Sequence, residues 1–195
     1  MGASRPAARG KATDRPLLIS VAAGVRIAAL EAWCGGGVAA MRAMPNGPAR
    51  LGAGASGAYA PPSVGGEQRA AAERVLQAFG EVFWVPSEEL LDVVTALSGS
   101  GPAYFFLLAE LMAEAGAELG LESAVARRLA AATLYGSGLL ARSGADLARL
   151  RHEVTSTGGT TEAAVRVLEA ADLRGMVRAA LAAATQRGRE LAVRP

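Results

Sequence analysis

The chain has 195 residues, of which 51% are hydrophobic and only 5% aromatic, and its formal net charge is +2. This length suits one domain or two small ones, and the abundance of alanine favours closely packed helix pairs with few aromatic core residues. The arginines are spread beside acidic residues instead of forming a block, which argues against a nucleic acid partner. The single cysteine, Cys34, excludes an intrachain disulfide, and the single histidine, His152, excludes a His-rich metal site.

The sequence also bears on the cellular compartment. No apolar stretch reaches the length of a membrane span without charges or glycine, and the N-terminus lacks the apolar segment of a secretory signal. Together with the cysteine content, this predicts a cytoplasmic protein with neither a membrane partner nor a bound metal. Residues 1–15 are rich in Ala, Arg and Gly and have no helical or strand period, so we expect a disordered tail.

The next part of the chain alternates short apolar runs with helical patterns. Strands are predicted over 17–24, 38–44 and 82–85, a weak glycine-rich strand over 52–60, and helices over 26–33 and 67–79. This rhythm is typical of a parallel sheet with helical crossovers. Residues 16–86 are therefore predicted to form a small parallel sheet.

From residue 87 onward only helical patterns occur. Helices are predicted over 88–98, 103–119, 123–143 and 146–153, with a long or broken helix over 160–191 that kinks near 172–175. The run Gly-Ser-Gly-Pro over 99–102 is expected to break the first helix from the second and to place Pro102 at a first helical position. Wide apolar faces on such helices need partners, which a homodimer supplies economically. The expected fold class is α/β plus all-α, with an all-helical domain over 87–195.

Between two of these helices lies the run Val-Thr-Ser-Thr-Gly-Gly-Thr-Thr-Glu, residues 154–162. Unpaired backbone N–H groups and the positive end of a helix dipole would point out of this turn, and its glycines would let a carboxylate or phosphate approach the backbone. The alternative is an ordinary N-cap, in which a Thr or Ser oxygen satisfies the first turn and Glu162 favours the dipole. Taken alone, the run favours the ordinary cap, because such caps are common where helices begin.

Three segments together resemble the pyrroline-5-carboxylate reductase family: residues 17–25, the run Ala-Leu-Ser-Gly-Ser-Gly-Pro-Ala-Tyr over 96–104, and residues 154–161 with the helix that follows. The similarity extends from residue 14 to residue 191. It implies an N-terminal Rossmann-like dinucleotide-binding domain and a helical domain that interlocks in a homodimer, often assembled into decamers. The implied reaction is reduction of 1-pyrroline-5-carboxylate to L-proline, by hydride transfer from NADPH or NADH.

The resemblance also assigns roles to residues. A substrate-side set would bind the small molecule: Glu88, Ser156, Gly158, Gly159, Thr160 and Thr161. Backbone groups of Gly158, Gly159 and Thr160 would hold the carboxylate, and Thr161 would act as the catalytic residue by placing its hydroxyl near the ring nitrogen. Two loops that follow strands match the cofactor side: Val21, Ala22 and Ala23, then Met44, Pro45 and Asn46.

The sequence departs from the family pattern in several places. Gly47 replaces a usual threonine after Met-Pro-Asn, and Thr157 stands where a proline is common, which leaves that turn less rigid. No strand with the family's Gly-rich turn precedes Leu17. We therefore expect that the dinucleotide-binding domain lacks its fingerprint, that NADPH affinity is reduced, and that the strand at 17–24 exposes an edge.

Two other functions remain open. One is a non-catalytic helical oligomerisation remnant of such a reductase, which assembles but turns over nothing. The other is a hydroxyacid dehydrogenase of the related doubly wound plus all-helical type. Enzymes of that type use a helix-borne lysine as general acid. Lys11, in the predicted tail, is the only lysine of this sequence, which argues against the dehydrogenase hypothesis.

Overall fold

A computed structural model describes residues 15–192. The described residues divide into two compact units, one comprising residues 15–100 together with residues 181–192, and the other residues 101–180. The first unit holds the sheet and the second is helical, so the α/β plus all-α class is confirmed. Of the predicted disordered tail, all but Arg15 lies outside the described residues.

The first unit is built on a four-stranded sheet in the order β1-β2-β3-β4. Its strands are β1 (Leu17–Ser20), β2 (Ala39–Met44), β3 (Gly54–Tyr59) and β4 (Gly80–Trp84). β1 and β2 are parallel and are joined by α1 (Ile27–Trp33). β3 and β4 are also parallel and are joined by α2 (Gly66–Gln77). The sheet therefore consists of two βαβ units, as the alternating pattern predicts.

The expected all-parallel arrangement is wrong at the centre of the sheet, where β2 and β3 pair antiparallel. The two strands are separated only by residues 45–53, which include a short 3-10 helix, Gly47–Leu51. A parallel crossover needs a dozen or more residues. This connection is too short for one, so the chain turns back and the sheet is mixed.

Both faces of the sheet are covered by helices. One face packs against α2 in a cluster of buried residues: Met41, Ala43, Ala58, Ala72 and Leu76. The opposite face packs against α1 through Ile27, Leu30 and Ala40. Because neighbouring residues of a strand point to opposite faces, the run Ala40, Met41 supplies both layers.

Gly57 allows α3 (Leu90–Val94) to lie directly on β3. A Cβ atom at residue 57 would lie 2.5 Å from Cγ1 of Val94 and 2.9 Å from its Cγ2. We expect Gly57→Ala to lower the free energy of unfolding by about 2 kcal/mol, because the added methyl overpacks this contact. Denaturation in urea measures the change.

A second substitution tests the cause of that loss. Val94→Ala removes both Cγ atoms, so the Gly57→Ala/Val94→Ala variant should lose less stability than the sum of the single losses. Strictly additive losses would contradict the contact. Gly47→Ala is the matched control, because a Cβ at Gly47 meets nothing within 4 Å.

The predicted break at residues 99–102 is present at Ser100, where one helical segment ends and the next begins, but the backbone before it is helical up to Gly99. α3 runs into a π-helical turn, Thr95–Gly99, which is closed by a hydrogen bond of 2.8 Å from Ser100 N–H to the Thr95 carbonyl. α4 (Gly101–Glu118) follows at once, with Pro102 in its first turn. An N–H in that turn has no partner within the helix, so proline costs nothing there.

The segment over 88–99 belongs to the first unit, and its side chains hydrogen-bond to residues of the sheet and of the loops that follow its strands. The sequence-based boundary between residues 86 and 87 thus falls inside a compact unit. The reason is physical, since this segment carries polar side chains whose partners lie more than 40 residues earlier in the chain.

Alanines pack the helices of the second unit. α4 and α5 (Ser123–Arg142) meet through buried Ala113, Ala126 and Ala130, which confirms the expected close packing through small residues. The large apolar side chains of α4 are instead about half exposed: Phe105, Phe106, Leu107, Leu108, Leu111 and Met112. The apolar face predicted for this helix is therefore present but not covered within the unit.

The remaining helices are α6 (Leu147–Glu153), α7 (Thr160–Ala170) and α8 (Leu173–Ala192). The predicted kink near 172–175 is a break between α7 and α8. Asp172 adopts a left-handed conformation (φ 54°), and its Oδ1 accepts a hydrogen bond of 3.1 Å from Gly175 N–H. This carboxylate caps the first turn of α8.

Candidate functional site

The two predicted cofactor loops lie at the same edge of the sheet. Residues 21–23 follow β1, and residues 44–46 begin with the last residue of β2. The carboxyl ends of these parallel neighbours meet, which is where ligands bind in such sheets. Val21, Ala22 and Ala23 are exposed, and Ala22 N–H donates a hydrogen bond of 3.3 Å to Ser20 Oγ. The structure therefore brings these two segments together.

Asn46 orders the loop after β2. Its Oδ1 accepts a hydrogen bond of 3.0 Å from Ala55 N–H, and its Nδ2 donates one of 3.3 Å to Ser98 Oγ. Ser98 lies in the π-helical turn, and its hydroxyl donates in turn to the Ala55 carbonyl at 3.4 Å. The Ser-Gly-Ser-Gly-Pro run thus supports the Met-Pro-Asn loop, and the cofactor contact assigned to Asn46 stays a prediction.

A network of charged side chains joins segment 88–92 to the sheet and to the turn after β1. Arg42 donates to Glu88 Oε1 at 3.0 Å, and Arg26 donates to Asp92 Oδ2 at 2.7 Å. The side chains of Arg42 and Asp92 are only 4% exposed. The two arginines and the two carboxylates therefore neutralise each other. Removing one partner of a buried ion pair lowers the free energy of unfolding by about 3–5 kcal/mol.

Glu88 also fills the first turn of α1, where its Oε1 accepts a hydrogen bond of 2.9 Å from Ile27 N–H. Arg26, the N-cap residue, provides no side-chain cap. The neighbouring Glu89 is exposed, and hydrogen bonds from its own backbone and from Ser87 lower the pKa of its carboxyl.

The residues around the two loops suit one part of a dinucleotide better than another. The small, exposed residues 21–23 fit the nicotinamide end, because side chains of this size let a ring approach the backbone. The start of α1 does not fit a phosphate, because an internal carboxylate already occupies the position where a helix N-terminus binds an anion.

Sequence reasoning missed Arg26, Arg42 and Asp92. One signal was available for Arg42, because a charged residue inside an otherwise apolar strand must be paired if the strand is buried. The partners themselves could not be inferred, since they lie 46 and 66 residues away along the chain.

The loop over residues 154–161 in the second unit, predicted to bind substrate, contains a tight turn. Gly159 N–H donates a hydrogen bond of 3.0 Å to the Ser156 carbonyl, and Gly158 has a φ of 72°. A positive φ at the third position of a four-residue turn strongly favours glycine, as in type II turns. Ser156 and Thr157 are exposed at this turn.

The turn leads directly into α7, whose N-cap is Gly159 without a side-chain cap. The expected Thr or Ser cap is therefore wrong, whereas the predicted position of Glu162 in the first turn is confirmed. Its Oε2 accepts a hydrogen bond of 2.6 Å from Gly158 N–H. The N–H groups of Gly158 and Gly159 are thus engaged within the loop, and those of Thr160 and Thr161 lie in the uncapped first turn.

The predicted substrate-side residues are split between the two units. Residues 156–161 lie in the helical unit, and Glu88 lies in the sheet unit. Within the loop the structure brings together Ser156, Gly158, Gly159 and the start of α7. Glu88 is surrounded by the arginines and the α1 backbone described above.

Residues 88–191, more than half of the chain, match the family model of pyrroline-5-carboxylate reductase dimerisation. The chain belongs to the pyrroline-5-carboxylate reductase family. The resemblance seen in the sequence is thereby confirmed. The pyrroline-5-carboxylate reductase of Pseudomonas aeruginosa is 47% identical to it, over 90% of this chain and 65% of that relative.

Solved structures of pyrroline-5-carboxylate reductases are similar to this chain in fold. That of the pyrroline-5-carboxylate reductase from Coxiella burnetii superposes with a TM-score of 0.87 at 42% identity, over 91% of this chain and 66% of that one. The Plasmodium falciparum pyrroline carboxylate reductase, solved with NADP bound, gives a TM-score of 0.79 at 28% identity, over 90% and 67%. The chain spans about two thirds of the length of these reductases.

Proposed function

We propose that the protein reduces 1-pyrroline-5-carboxylate to L-proline with NAD(P)H, as a cytoplasmic homodimer. The observation that carries this proposal is the uncapped start of α7 behind Gly158 and Gly159, in a chain of the reductase family. Backbone N–H groups at a helix N-terminus favour an anion such as the substrate carboxylate.

The carboxylate would bind the N–H groups of Thr160 and Thr161. The N–H groups of Gly158 and Gly159 already donate hydrogen bonds within the loop, to Glu162 and to the Ser156 carbonyl. Their contribution would therefore be the small size of glycine, which lets the ligand approach the backbone. At Gly159 the turn itself also favours glycine, because a Cβ there would collide with Ser156 Oγ.

Thr161 would act at the ring nitrogen. NAD(P)H would supply a hydride to the carbon of the C=N bond, and the nitrogen would take up a proton from solvent to become a basic amine. A threonine hydroxyl can both donate and accept, so it can hold a hydrogen bond to this nitrogen before and after the change. Thr161 is the second residue of α7, so helical geometry fixes its backbone.

The apolar face of α4 supports the homodimer. By length and by a mean hydropathy of 1.3, the helical stretch Leu90–Glu118 would also suit a membrane. That stretch lies entirely within residues 88–191, which match a dimerisation family, and three glutamates, Glu110, Glu114 and Glu118, interrupt its surface. Helices of a second copy are therefore the better cover.

Turnover by the purified protein tests the proposal. We expect NADPH or NADH to be oxidised only when 1-pyrroline-5-carboxylate is present, with one L-proline formed per cofactor consumed, measured by nicotinamide absorbance and chromatography. Protein that is folded and dimeric yet forms no proline would instead favour the non-catalytic oligomerisation remnant.

A further inference from the structure

The turn formed by residues 21–26 is held at both ends, although its middle is exposed. At its start, Ser20 Oγ accepts the hydrogen bond from Ala22 N–H. Gly24 has a φ of 77°, and a Cβ there would lie 3.0 Å from the backbone carbon of Leu191 in α8. Within the sheet unit, the first part of the turn is therefore held by the hydrogen bond to Ser20 and by the close approach of Gly24 to the α8 backbone.

The end of the turn is fixed by Glu88. Its Oε1 accepts hydrogen bonds from Ile27 N–H at 2.9 Å and from Arg42 at 3.0 Å. The same carboxylate oxygen thus joins the start of α1 to a buried side chain of the neighbouring strand. A carboxylate at this place satisfies one free N–H group and interacts favourably with the helix dipole.

Arg26 strengthens the same attachment. It donates to Asp92 Oδ2 at 2.7 Å and to the Glu88 carbonyl at 3.4 Å. Asp92 is buried, and it lies beside Gly188 of α8, where a Cβ would be 3.6 Å from that of Asp92. Two consecutive residues, Arg26 and Ile27, are therefore bound to one segment of the chain.

We propose that Glu88 is a positioning residue, an internal anion that caps α1 and fixes the cofactor-side turn, and that it is not a substrate contact. The consequence for cofactor binding rests on the proposed function, whereas the consequence for the turn does not. Glu88 is suited to this role because its Oε1 already accepts hydrogen bonds from two donors of its own unit.

Charge balance makes the proposal testable by paired substitutions. Glu88→Gln leaves Arg42 as a buried charge without its carboxylate, and Arg42→Gln leaves Glu88 without its arginine. The double variant has neither charge, and its two amides can still hydrogen-bond to each other and to Ile27 N–H. Glu89→Gln is the matched control, since it makes the same change at the adjacent, exposed residue.

Three readouts are measured on the full chain: hydrogen exchange of residues 21–27, affinity for NADPH, and affinity for L-proline. In Glu88→Gln we expect exchange of the turn to accelerate roughly tenfold and NADPH to bind roughly tenfold more weakly, with L-proline binding unchanged. The double variant should recover most of both losses. If Glu88→Gln does not fold, Glu88→Asp serves, because it keeps the charge but cannot reach Ile27 N–H as well.

Two results would overturn the proposal: weaker L-proline binding with unchanged exchange in the turn, which would make Glu88 a substrate contact, or a Glu88→Gln variant that behaves like Glu89→Gln. If the unmodified protein binds no NADPH, the proposed function fails, yet exchange and its recovery in the double variant still decide the role of Glu88.

Discussion

Thr161→Val is expected to lower kcat/KM for 1-pyrroline-5-carboxylate roughly 100-fold, with the fold unchanged. Valine has nearly the shape of threonine but no hydroxyl, so under the role proposed for Thr161 the ring nitrogen would lose its hydrogen bond as it becomes an amine. The loss should appear mainly in kcat, because the interaction strengthens as the hydride is transferred. Steady-state kinetics of the two proteins measure it.

Thr157→Val is the matched control for that experiment. Thr157 lies in the same loop, is exposed, and precedes Gly158 in the turn. Removing its hydroxyl should leave kcat/KM within about twofold of the unmodified protein, because Thr157 is exposed and none of the proposed substrate contacts uses its side chain. Equal losses in both variants would mean that the loop had been disturbed as a whole, and no loss in Thr161→Val would remove its role at the nitrogen.

Segments with local signals could be predicted from the sequence. β1, β2, α1 and α2 follow short apolar runs and helical spacing, and their bounds differ from the predicted ones by only a few residues. The loop over residues 154–161 could also be located from the sequence, because its glycines and the apolar pattern that follows it are contiguous. These features depend on neighbouring residues only.

Other features depend on contacts distant in sequence. The Gly-Ser-Gly-Pro run is typical of a helix breaker, and composition alone does not predict the π-helical turn that precedes the break, in which Ser98 is held by Asn46 and Ala55. The direction of β3 is set by the length of the loop before it. The resemblance assigns Glu88 to the substrate side, which stays a prediction, and only the folded chain places Ile27 N–H and Arg42 on its carboxylate.

The apolar stripe of α4 was predictable, but its role inside the unit was not. Periodicity shows that a face is apolar without showing what covers it. In the structure the alanines at 109, 113 and 117 face α5, and the leucines and phenylalanines remain exposed. A larger side chain at Ala113 would hold α4 and α5 apart, so the small residues are needed for this packing.

Leu111→Arg is expected to convert the proposed homodimer into a folded monomer. Leu111 is 51% exposed and lies about 200° around the helix from Ala109 and Ala113, so its side chain takes no part in the contact with α5. A charge placed inside the dimer interface would have to lose its water without gaining a partner. That cost should weaken dimerisation by at least about 100-fold.

Sedimentation over a range of protein concentrations measures this change, and circular dichroism shows whether the helices are retained. Leu51→Arg is the matched control, because Leu51 is 86% exposed in the sheet unit and outside residues 88–191. It should stay dimeric with unchanged affinity.

A Leu111→Arg protein that dimerises as tightly as Leu51→Arg would show that this face of α4 is not the interface, and the exposed leucines would then need another partner. A monomer that keeps its helical signal would show that the alanine packing of α4 and α5 is sufficient to hold the unit together, and that the large apolar residues of α4 serve association between copies.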